Sequence, residues 1–111
     1  MAEPLARAER VRIQDVRPYY VPESLDDLVG PVHGLMVLPH HVHWGPKRHV
    51  DLDDEGDLLS AYQAIITEGR IEDQVGLLNK VVLKRVWNDL VLSRRVRTMW
   101  EQRLPSVVSE R

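Results

Sequence analysis

The sequence predicts a mainly α fold: a small helical domain of three to four helices preceded by an extended arm with room for short β-strands. Three observations carry this. Six of the seven prolines lie before residue 57 and none falls within 57–104. Proline lacks an amide donor and disfavours helix at the residue before it, so residues 16–52 read as an extended, turning arm and 53–105 as helical hairpins. Leu58, Leu59, Tyr62, Ile65 and Ile66 recur at i, i+1, i+4, i+7 and i+8, one apolar stripe at helical period. Finally, 111 residues make one domain's length, enough for one modest core.

The elements follow in order. Residues 1–15 form a flexible or helical tail whose apolar content, Leu5, Val11 and Ile13, is thin. Ser24 caps one short helical turn at Leu25-Asp26-Asp27-Leu28. Gly34–Leu38 and His41–Trp44 are short extended runs that can pair as a hairpin, although Pro39 interrupts them and no good turn dipeptide joins them. The first long helix runs from about Asp54 to Glu68. Asp53 is its expected N-cap, acids load its first turn, and Gly69 is expected as a left-handed C-cap.

A short helix over 71–78 places Ile71, Val75 and Leu78 on one side, with Gly76 weakening it. A third helix spans about Lys80 to Leu90, with Val82, Leu83, Val86, Trp87 and Leu90 inward. Ser93 caps a last helix to about Arg103, with Val96, Met99 and Trp100 inward and Pro105 just beyond. The short turn between these two makes them neighbours, and Trp87 and Trp100 become core with indole N–H groups seeking acceptors. Residues 106–111 are expected to be a flexible tail.

Composition excludes several chemistries. Without cysteine there are no disulfides, thiolate nucleophiles, iron–sulfur clusters or cysteine-containing zinc sites. No apolar run approaches the roughly 18 residues of a membrane span. The Met1-Ala2-Glu3-Pro4 start lacks the basic and apolar stretches of a signal peptide, so a cytoplasmic protein with no membrane association is expected. Charge is segmental: residues 51–73 hold eight acids against Arg70 alone, and 74–104 hold seven bases against Asp89 and Glu101. Such a split gives a dipolar surface that can orient a partner, but the preferred reading is an acidic helix beside basic helices that neutralise each other within the domain.

Candidate chemistry is sparse. His33, His40, His41, His43 and His49 fall within 17 residues, and His41 with His43 would share one strand face, a spacing some metal sites use. His49, Asp51 and Asp53 alternate in the same way. The segment is rich in proline and glycine and His-Glu-x-x-His is absent, so no metal ligand and no cofactor is assigned. Asp51, Asp53, Asp54, Glu55 and Asp57 are consecutive at one helix start, where capping and the helix dipole account for them. With no glycine-rich phosphate loop and no Gly-x-Ser-x-Gly elbow, a non-enzyme is expected.

Binding is the remaining class. The arm offers Tyr19, Tyr20, Leu35, Met36 and Trp44 as candidate partner-binding residues, through strand addition or aromatic anchoring. Lys80, Lys84, Arg85, Arg94, Arg95 and Arg97 on the last two helices are the candidate set for the alternative, a DNA-binding transcriptional regulator. A sequence pI near 6.2 disfavours nucleic acid as the partner.

Longer motifs carry a resemblance. They are Tyr20-Val21-Pro22-Glu23-Ser24-Leu25-Asp26-Asp27-Leu28 leading to Gly30-Pro31 and Gly34, Leu38-Pro39 with Trp44, and Val50-Asp51-Leu52-Asp53-Asp54 with the helix through Tyr62 and Glu68-Gly69. Trp87-Asn88-Asp89-Leu90-Val91-Leu92, Val96-Arg97, Trp100-Glu101 and Leu104-Pro105 complete the set. Over residues 19–105 the chain resembles a group of small actinobacterial proteins whose genes tend to lie beside nucleotidyltransferase-type toxin genes of abortive-infection-like systems. Ser93-Arg94 departs from the proline-containing turn expected there, and the histidines match no functional motif of the group. The resemblance implies a non-catalytic protein-binding module, an antitoxin-like or accessory partner of such a toxin, whose protein partner is encoded nearby.

Overall fold

The computed structural model describes residues 19–43 and 49–108. The expected N-terminal tail, residues 16–18, Trp44 and the last three residues lie outside the described residues. Among the described residues the fold is mainly α, with four α-helices and one two-stranded antiparallel sheet. The helices are α1 (Glu55–Glu68), α2 (Ile71–Leu77), α3 (Lys80–Val86) and α4 (Arg94–Arg103); the strands are β1 (Leu35–Val37) and β2 (His49–Asp51). Short 3-10 turns occupy Leu25–Asp27, Trp87–Asp89 and Pro105–Val107.

The arm builds the sheet, but not with the expected partner. β1 pairs with β2 in the register Leu35↔Asp51, Met36↔Val50 and Val37↔His49. Residues 40–42 instead form a turn in which the Val42 and His43 amides both donate to the Pro39 carbonyl, at 3.0 and 3.1 Å. The polar–apolar alternation His49-Val50-Asp51-Leu52 buries Val50 and Leu52, so the spacing considered for metal ligands is that of a half-buried strand.

α1 begins one residue later than expected. Asp54 is the N-cap and accepts the Asp57 amide at 2.9 Å, while Asp51 accepts the Asp53 amide. Gly69 is not left-handed, with φ −81° and ψ 159°. It is required by a close approach, since an added Cβ would stand 2.5 Å from the Ile65 carbonyl oxygen. In α2 the buried position is Gln74, and Ile71 is turned outward. The Gln74 side-chain amide donates to the Tyr20 carbonyl at 2.8 Å, which fastens the arm to α2.

One core joins the arm and the helices. Leu25, Leu28, Met36, Leu38, Val42, Val50 and Leu52 belong to the same buried cluster as Leu58, Tyr62, Ile66, Leu83, Trp87 and Trp100. Val107 is also fully buried, so the packed chain runs past residue 105. Asn79 ties three elements together. Its side-chain oxygen accepts the Val81 and Val82 amides at the start of α3, its side-chain nitrogen donates to Gly30, and its backbone amide donates to the Tyr62 hydroxyl. Burial pushes the Tyr62 hydroxyl pKa up to about 12, against the opposing pull of that bond, so it stays protonated.

Candidate protein-interaction site

The site rests on β1. Gly34, at φ +90°, turns the chain into the strand, and its carbonyl accepts the Leu52 amide at 2.8 Å. Closely bonded pairs alternate along an antiparallel ladder, so Met36–Val50 is the next such pair after Gly34–Leu52. The backbone N–H and C=O groups of Leu35 and Val37 therefore point away from β2, along an edge that no other strand pairs with among the described residues. α1 packs against β2. The outer face carries Leu35 at 74% exposure and Val37 at 50%, opposite Asp51 and His49. β1 contains neither charge nor proline, the residues that usually blunt an exposed edge.

Of the other candidate partner-binding residues, Tyr20 is exposed and Tyr19 is half-buried against the core. Met36 is different. It points inward at 5% exposure, because alternation places it opposite Leu35 and Val37. It supports the edge from beneath and presents nothing to a partner.

The basic candidates divide. Lys80 pairs with Asp26 at 2.5 Å and Arg85 with Glu55 at 3.5 Å. The Arg97 guanidinium donates to the carbonyls of Trp87 and Leu90, stands 5.0 Å from the Trp87 ring centre, and lies 3.9 Å from Glu101. It closes the turn between α3 and α4, a role its i, i+4 spacing from Glu101 only partly signals. Lys84, Arg94 and Arg95 make no ion pair among the described residues.

No group of three or more metal-capable side chains occurs among the described residues. His33, His40 and His49 are exposed. His43 lines a cavity of about 210 Å3 with Asp57 and Ser60 over a floor of Leu38, Val50 and Ala61. Asp57 accepts the Asp51 amide at 3.0 Å, and its own amide donates to Asp54 at 2.9 Å. Comparison with protein-family models, with curated proteins and with solved structures gave no match. No helix among the described residues is long and apolar enough to cross a membrane.

His41 belongs to a clamp. Its Nε2 lies 2.5 Å from Asp73 Oδ2, which also accepts the Arg70 amide at 2.9 Å, holding the 39–43 turn against the start of α2. Burial opposes ionisation of Asp73. The Arg70 amide, the His41 bond and the nearby His41 and Arg70 charges together outweigh it, and its pKa falls below the ordinary 3.8. A carboxyl lowered in the folded state stabilises fully above its unfolded pKa and ceases to do so as pH falls through the folded value. Asp73→Asn is therefore expected to melt below the wild type at neutral pH and to converge on it in acid. Melting curves from pH 7 downward check this; a gap that persists in acid would assign the loss to shape instead of charge.

Proposed function

We propose that the chain is a non-catalytic protein-binding module that captures an extended segment of its partner along β1. The observation that supports this reading is the unblunted edge: outward amides and carbonyls at Leu35 and Val37, flanked by their exposed apolar side chains. Strand addition takes its affinity from such main-chain groups and its specificity from alternate side chains. Tyr20 adds a further exposed aromatic on the arm. The resemblance of residues 19–105 supports a nucleotidyltransferase-type toxin encoded nearby as the partner, with this chain as its antitoxin or accessory.

The test is to mix the chain with the product of the adjacent gene and follow complex formation by size exclusion and amide exchange. A complex is expected, with exchange at Leu35 and Val37 slowing in it. The double variant Leu35→Lys, Val37→Lys charges the edge at two exposed positions. It should melt within about 0.5 kcal/mol of the wild type, as surface changes do, yet bind at least about tenfold more weakly. Unchanged affinity in that variant would remove strand addition, and failure to form any complex would remove this partner.

A further inference from the structure

We propose a second docking surface, along the solvent side of α4, that accepts an acidic protein segment bearing one large apolar side chain. Val21 of the arm and Met99, Gln102 and Arg103 of α4 line a groove of about 270 Å3. Arg95, Met99 and Arg103 are spaced four apart and so share one stripe of the helix. Val21 and Met99 are the apolar part of the groove's lining and Arg103 its cationic part, with Arg95 further along the same stripe. Methionine suits such a lining, because its unbranched side chain adapts to different apolar partners.

The arginines point to the charge of the occupant. Arg94, Arg95 and Arg103 make no ion pair among the described residues. Arg94 and Arg95 also occupy the first two positions of α4, the positive end of the helix dipole, with no acid in that turn to offset them. Local folding preferences do not favour arginine there, and residues that break a local rule tend to mark function. An incoming carboxylate would relieve the repulsion.

The size of the groove and the charge of the rest of the chain favour a peptide over a nucleic acid. A duplex presents an extended polyanion to the whole molecule, which carries a net charge of −2 and eight acids within residues 51–73. A short acidic segment meets only the local positive field. This surface uses no residue of β1, so it stands or falls independently of strand addition.

Panning a random dodecapeptide library against the full chain tests it. Enriched peptides are expected to surround one Leu, Ile, Phe or Trp with several Asp or Glu residues. Synthesised with a fluorophore, they should bind the Leu35→Lys, Val37→Lys variant as tightly as the wild type. Affinity should fall at least about tenfold in Arg95→Glu, Arg103→Glu and about threefold or more in Met99→Ala, which keeps every charge. Enrichment of non-acidic peptides, or affinity unchanged in both α4 variants, would overturn the proposal. So would tighter binding of a DNA duplex of about 20 base pairs at the same ionic strength, which would assign the surface to nucleic acid.

Discussion

Truncation of Trp87 or of Trp100 to alanine is expected to cost about 3–5 kcal/mol, the usual loss for a large buried aromatic. Both side chains are fully buried, and their ring centres lie 6.0 Å apart at an interplanar angle of 34°. Small domains hold only about 5–15 kcal/mol in total, so either change removes much of the fold's stability. Phenylalanine separates the two sites. The Trp87 indole N–H donates to Glu101 at 2.9 Å, and Arg97 lies over its ring. The Trp100 indole N–H is buried without a partner among the described residues. Trp87→Phe gives up a charge-assisted bond, whereas Trp100→Phe deletes an unsatisfied donor. Chemical denaturation should therefore place Trp100→Phe above Trp87→Phe by about 1 kcal/mol. Equal losses would mean that ring packing alone decides both positions.

That tryptophan pair is legible in the sequence, because helical spacing and a short intervening turn act locally. The same holds for Ser24 and Ser93 as caps and for the apolar stripe of α1. The N-cap of α1 moved from Asp53 to Asp54 because neighbouring aspartates are chemically equal as caps, and only geometry decides which carboxylate meets the Asp57 amide. The partner of β1 was missed for a different reason. Pairing 35–37 with 49–51 rather than 41–44 depends on the turn after Pro39 and on burial of Val50 and Leu52, which are tertiary facts. Of the proposed site, Leu35 and Tyr20 stand out in the sequence by their apolar character in a non-helical arm. Val37 was missed because nothing in a run of apolar residues shows which ones face outward until the register is known. Arg97 looked like one more surface base. Its two carbonyl acceptors lie seven and ten residues upstream, and no periodic pattern reports such contacts.

Gly30→Ala and Gly76→Ala make the same chemical change and should move stability in opposite directions. Gly30 lies where the arm crosses the junction of α2 and α3. Its amide donates to the Leu78 carbonyl at 2.8 Å, its carbonyl accepts from Asn79, and the preceding Val29 amide donates to Val75 at 2.9 Å. An added Cβ at Gly30 would stand 2.3 Å from both the carbonyl carbon and the oxygen of Leu77. These are backbone atoms of a packed junction, so no side chain can swing aside to relieve the clash. The arm must lift, and those three hydrogen bonds must lengthen or break. Overpacking of this kind costs about 1–3 kcal/mol, and a backbone obstacle puts Gly30→Ala at the upper end. Gly76 is exposed near the end of α2, and a Cβ there would meet nothing within 4 Å. Alanine at that position reduces the freedom of the unfolded chain and improves helix propensity, a gain of about 0.5–1 kcal/mol. Thermal melting reads both signs in one experiment. Amide exchange then locates the damage: in Gly30→Ala, protection should fall first at Val29 and Gly30 while α4 stays protected. Equal melting of the two variants would mean that the arm is not held against α2 through its backbone.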